Sequence, residues 1–145
     1  MFIAQLSDCH IRPPGQVFAD VVDTHAMLAA AVDAVLALRP QPDAVLVTGD
    51  LTNDGEPEAY ARIRPELARL PMPVYAIPGN HDDREAMQLL HGVAELGAGS
   101  AYCQYAADVG ELRLIALDSL VPGEAHGAIC PERLAWLEAE LRRSA

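Results

Sequence analysis

Aromatic residues are scarce in this chain, at 5% of 145 residues, so a core built from its 51% hydrophobic content must be mainly aliphatic. The three cysteines, Cys9, Cys103 and Cys130, are odd in number, far apart and without a CxxC pair. That spacing excludes a disulfide framework and a thiolate zinc site, and reduced thiols are expected. No apolar run approaches the ~20 residues of a membrane helix, and Met1-Phe2-Ile3-Ala4-Gln5-Leu6-Ser7 lacks the basic flank and cleavage site of a signal peptide. A cytoplasmic protein without a membrane partner is the expectation. Basic residues are also few, ten against twenty-one acidic, for a net charge of -11. A nucleic acid polymer would be repelled by such a surface. A small phosphate-bearing substrate is not excluded, because bound divalent metals reverse the local field of an acidic pocket.

What is present has an α/β rhythm, without internal repeats or low-complexity segments, and its length fits a single domain over residues 1–145. Residues 2–7, 44–48 and 74–77 read as short strands. Between them, Thr24 is placed as the N-cap of a helix ending before Pro40, and Pro57 opens another that runs to about Leu70 with a blemish at Pro65. The result is a βαβαβ unit with right-handed crossovers. Further on come a short helix over 84–90, a loop through Gly97 and Gly99, and strands over 101–107 and 112–118 joined by a hairpin connection at 108–111. A last helix begins at Pro131 and places Leu134, Leu137 and Leu141 on one face, which needs cover.

Three polar clusters follow the three predicted parallel strands: Asp8-Cys9-His10, Gly49-Asp50, and Gly79-Asn80-His81-Asp82. Loops at the carboxyl ends of neighbouring strands converge on one crevice, so residues far apart in sequence meet there. In Asp8-x-His10 the two side chains point the same way along extended backbone. Carboxylate, imidazole and amide oxygen together suit Mn, Fe, Co or Zn. Asp50, after a glycine at a strand end, can bridge two ions, and two ions ~3.5–4 Å apart clamp both oxygens of an in-line displacement at phosphorus. Asn80 adds a neutral oxygen, while His81 is left to meet the phosphate or the departing alkoxide. Singly, each cluster is an ordinary turn or loop pattern; their order, one after each strand, is what carries the reading.

Ser7-Asp8-Cys9-His10, Gly49-Asp50-Leu51-Thr52-Asn53-Asp54-Gly55 and Pro78-Gly79-Asn80-His81-Asp82-Asp83 resemble the D-x-H, GD and GNH(D/E) blocks of the calcineurin-like metallophosphoesterases. Together with Leu117-Asp118-Ser119 and Trp136-Leu137-Glu138 they are similar to the class III phosphodiesterases, which act on cyclic nucleotides and glycerophosphodiesters. The resemblance implies a β-sandwich flanked by helices, an αββα fold of which this chain supplies the first half. It implies Asp8 and His10 on a first divalent ion, Asp50 bridging, Asn80 on a second, His81 facing the substrate phosphate, and a metal-bound hydroxide as nucleophile. Asn53 stands where related phosphatases carry an acid that orients this histidine.

The later histidine blocks of the family are missing, so the second ion should bind weakly; the chain is expected to be truncated or a fragment of a longer enzyme, and its uncovered helix face to lead to aggregation, a homo-oligomer or cover by a missing C-terminal half. His25 and His91 read as solvated or capping residues, and His126 as a loop residue at the site rim. Cys9 is expected to point into the core, Tyr102 and Tyr105 to line a nucleobase pocket or half-bury on a strand, and Arg12 to meet phosphate or solvent. Two other readings stay open: a phosphomonoesterase or nucleotide pyrophosphatase on the same scaffold, and an inactive half-domain that binds a metal or a partner chain.

Overall fold

The computed structural model describes residues 1–97 and 101–144; Gly99 of the expected loop lies outside them. Strands β1 (Ile3–Leu6), β2 (Ala44–Thr48) and β3 (Val74–Ile77) form a parallel sheet in the order β1-β2-β3, with Ile3 beside Ala44 and Val45 beside Val74. Alternation along the strands decides what each face meets. Val45, Val47, Val74 and Ala76 are buried, whereas Leu46, Thr48, Tyr75 and Ile77 are half-buried on the other face.

Helix α1 (Thr24–Ala37) presents Leu28, Val32 and Val35 to the core, and α2 (Pro57–Leu67) presents Ala59, Tyr60, Ile63 and Leu67. Asp23, not Thr24, caps α1: its carboxylate accepts from the Ala26 N–H at 3.0 Å. Thr24 is instead the first helical residue, and its hydroxyl donates to the His10 carbonyl at 3.0 Å, which ties the helix start to the first polar cluster. Pro57 opens α2 at a position where its missing N–H costs nothing. The helix closes at Leu67 rather than Leu70, two residues after Pro65, which has no N–H for the helical ladder.

The expected short helix is a single 3-10 segment, Ala86–Leu90. Strands β4 (Tyr105–Val109) and β5 (Leu112–Ala116) pair antiparallel, with Val109 opposite Leu112, so the connection is the two residues Gly110 and Glu111. Gly110 has φ +58°, which a two-residue hairpin turn requires and glycine adopts without strain. Residues 101–104 lie outside β4, and the Cys103 N–H donates at 2.9 Å to Asp118. Asp118 is fully buried and also takes Arg84 through both oxygens, at 2.6 and 2.8 Å. Two hydrogen bonds to a guanidinium offset its desolvation.

The last helix, α3 (Pro131–Arg143), docks through charged residues and not through its leucines. Its buried residues are Arg133 and Glu140, seven apart and so on one face. Arg133 donates to the Asp118 carbonyl at 2.8 Å and Glu140 accepts from Arg113 at 2.8 Å. Leu134 and Leu141 are exposed, so charge pairs anchor this helix while two of the expected leucines face outward. Among the described residues no helix is long and apolar enough to cross a membrane.

Candidate metal centre

The ladder between the first two strands continues beyond them. Asp8 N–H donates to the Gly49 carbonyl, His10 N–H to the Asp50 carbonyl at 2.9 Å, and Ile11 N–H to the Leu51 carbonyl at 3.0 Å. The backbone there is not extended, as the D-x-H spacing suggested. Asp8, His10 and Asp50 have φ of 56°, 44° and 49°, the left-handed region that non-glycine residues adopt at a cost of roughly 1–3 kcal/mol each. Such strain persists where surrounding bonds over-determine it, and here the paired carbonyls and the Thr24 hydroxyl do so.

These turns bring His10 and Asp50 together with His81. One ligand-type atom from each lies within 4.8 Å of the others, and His10 Nε2 is 3.9 Å from Asp50 Oδ2. The His10 and His81 rings meet edge to face, with centroids 4.9 Å apart. Asp50 uses its other oxygen, Oδ1, to accept from the His81 N–H at 3.0 Å, which locks the third loop to the second. His81 Nδ1 lies 2.7 Å from the Asn53 carbonyl. A carbonyl only accepts, so Nδ1 carries the proton and Nε2 is the ring's free nitrogen. Asn53 does stand beside this histidine, but through its backbone oxygen; its side-chain amide donates to Asp54.

The donor set fits a divalent cation. Two imidazoles and a carboxylate suit first-row metals, and His10 Nδ1 is buried with no polar partner among the described residues. Asp8 is exposed, takes the Ser7 hydroxyl on its carboxylate, and lines a hollow against α1 with Thr24 and Met27. Asn80 is exposed and lines a hollow with His81, Asn53, Asp54 and Asp83.

Gly79 explains the closeness of the loops. A Cβ there would fall on the Asp50 carboxylate and backbone N–H, and one on Gly49, which has φ +85°, would press on Gly79. Gly79→Ala is therefore expected to displace Asp50 and weaken metal binding at least tenfold, a loss of the size seen when groups orienting metal ligands are removed, measurable by manganese titration.

Asp82 is the residue whose role the motif did not disclose. It is buried and accepts from Leu51 N–H at 3.1 Å, Thr52 N–H at 3.0 Å, Gly79 N–H at 2.9 Å and the Tyr60 hydroxyl at 2.9 Å. One carboxylate thus pins the loop after β2 to the loop after β3. Burial raises its pKa above the usual carboxylate range, against the lowering by those donors. Tyr60, from α2, is pushed up by burial and by the Asp82 charge.

The remaining sequence candidates lie elsewhere. His126 is exposed, 3.8 Å from Glu124, and His25 faces Glu66 at 3.7 Å. His91 caps the 3-10 segment through its backbone N–H. Cys9 is half-buried against the core, and burial followed by the Asp82 and Asp8 charges raises its thiol to about 11. Arg12 donates to Asp54 and Gln16. Tyr102 carries Arg84 and Arg133 against its ring, and the Tyr105 hydroxyl donates to the Ala76 carbonyl at 3.0 Å.

The scaffold is thus an α/β fold whose parallel sheet carries, at the convergence of its three carboxyl-end loops, a His/Asp group able to hold a metal ion. Residues 1–141 match the calcineurin-like phosphoesterases, and the chain belongs to that family. It is 38% identical over 143 residues to a glycerophosphodiester phosphodiesterase of Enterobacter lignolyticus, covering 97% of this chain and 51% of that protein. It is 33% identical to a probable glycerophosphodiester phosphodiesterase of Arcobacter nitrofigilis, covering 99% of this chain and 52% of the relative. It is also 34% identical to a 3',5'-cyclic adenosine monophosphate phosphodiesterase of Pseudomonas aeruginosa, covering 94% and 48% respectively. The chain spans about half the length of the curated relatives it matches.

Proposed function

We propose that this chain carries the site of a metal-dependent hydrolase of small phosphodiesters, with a 3',5'-cyclic nucleotide or a glycerophosphodiester as substrate and a water-derived hydroxide as nucleophile. The observation that supports it most is the convergence of His10, Asp50 and His81 at the ends of successive parallel strands. Asp8, His10 and Asp50 would hold a first ion, and Asp50 and Asn80 a second. Divalent ions supply a deprotonated water at neutral pH and neutralise charge on the phosphate.

The chain's own residues do the rest. Asp50 fixes the third loop with Oδ1 and turns Oδ2 toward His10, which leaves Oδ2 available to an ion. His81, its Nδ1 proton engaged by the Asn53 carbonyl, would as an imidazolium donate its Nε2 proton to the phosphate or to the departing alkoxide, ending as the neutral ring. The test is hydrolysis of bis(4-nitrophenyl) phosphate against 4-nitrophenyl phosphate, with manganese and after chelation. Faster metal-dependent cleavage of the diester is the expected result. A faster monoester would point to a phosphomonoesterase, and turnover that survives chelation would overturn the metal-dependent reading.

A further inference from the structure

We infer that Phe18 is an aromatic platform at the edge of the metal centre, and that it favours phosphoesters whose alcohol carries a planar base, that is, nucleotides over glycerol esters. The inference deepens the proposed function and rests on it for the position of the phosphate.

The placement is specific. The Phe18 ring lies 5.4 Å from the His10 ring, tilted by 35°, and His10 in turn belongs to the group with Asp50 and His81. Phe18 is 36% exposed, so part of its ring remains open to solvent beside the site. It is held there by a small closed loop: Phe18 N–H donates to the Val22 carbonyl at 2.8 Å, and Val22 N–H donates back to the Phe18 carbonyl at 2.9 Å. Ala19 and Asp20 between them take φ of 48° and 62°. Two successive left-handed non-glycine residues mark a constrained turn, as is common where a side chain is presented for function. Val17 and Val21, beside it in the same loop, are also exposed.

The chemistry follows from what the ring can and cannot contact. A phosphate at the cluster places its ribose over His10 and its base within reach of Phe18, where stacking on an aromatic face is tolerant of base identity. A glyceryl group has no π-face to stack. The tyrosines that the sequence offered for this task are engaged elsewhere: Tyr102 with Arg84 and Arg133, Tyr105 with Tyr75 and the Ala76 carbonyl.

The experiment compares binding of AMP and ribose 5-phosphate, which share the phosphate and sugar and differ in the base, by equilibrium dialysis of the full chain with manganese. Wild type is expected to bind AMP about tenfold more tightly, Phe18→Ala to bring the two affinities together, and Phe18→Trp to keep them apart. Equal affinities in wild type, failure to bind either ligand, or an unchanged preference in Phe18→Ala would overturn the platform. Hydrolysis of 3',5'-cyclic AMP is measured on the same samples. A base preference without turnover keeps the platform and rejects the catalytic reading; turnover without a base preference does the reverse.

Discussion

Asp50→Ala is expected to lower manganese affinity and phosphodiester hydrolysis together, each by roughly a hundredfold or more, since outer partners of metal ligands alone account for losses of 10–100-fold. The expectation rests on two roles of one side chain. Oδ2 faces His10 Nε2 at 3.9 Å, where a cation between them would be coordinated by both. Oδ1 meanwhile holds the His81 N–H at 3.0 Å, so its removal also releases the loop that carries Asn80 and His81. Asp50→Asn separates the two. It keeps an oxygen for the His81 N–H but loses the charge, so it should retain the fold of the loop and still lose most of the metal affinity. Isothermal titration with manganese, alongside hydrolysis of the diester, reads both effects. Wild-type manganese affinity in Asp50→Ala would remove Asp50 from the centre.

The strands and the first two helices were legible because their signals are local: β-branched runs bounded by turn residues, and prolines that limit helices from one side. The alternation of short strands with amphipathic helices gave the parallel order as well. The site was legible to the level of which loops meet, since Asp8-Cys9-His10, Gly49-Asp50 and Gly79-Asn80-His81-Asp82 each follow a strand. What escaped is three-dimensional. Left-handed backbone at Asp8 and His10 is set by carbonyl partners on the neighbouring loop, and no spacing rule contains it. The use of Asn53 through its carbonyl is invisible in a side-chain motif. Phe18 sits ten residues after the start of the first polar cluster, and its approach to His10 depends on a loop closed by its own backbone. On the final helix the leucine spacing identified a face left without cover, and Leu134 and Leu141 are exposed; what it did not disclose is that the helix docks through Arg133, on the Asp118 carbonyl, and Glu140, on Arg113.

Asp82→Ala is expected to destabilise the fold by about 3 kcal/mol, a large share of the roughly 5–15 kcal/mol typical of a domain. Removal of the carboxylate leaves the N–H groups of Leu51, Thr52 and Gly79 and the Tyr60 hydroxyl without their acceptor. Unpaired buried donors cost about 1–3 kcal/mol each, but the sum is offset because the variant no longer desolvates a carboxylate. Asp82→Asn keeps one acceptor oxygen and turns an NH₂ toward groups that donate, so it should lie between wild type and alanine. The pH dependence has a definite sign. The folded-state pKa of Asp82 is raised, so its ionised form is penalised on folding; that penalty is absent below the ordinary aspartate range and grows as pH rises through the folded-state value. The stability gap between wild type and Asp82→Ala should therefore be widest in acid and narrow toward neutral pH. Urea midpoints across that interval decide it, and a gap that widens with pH would mean that the four donors outweigh burial and that Asp82 folds as a favoured carboxylate.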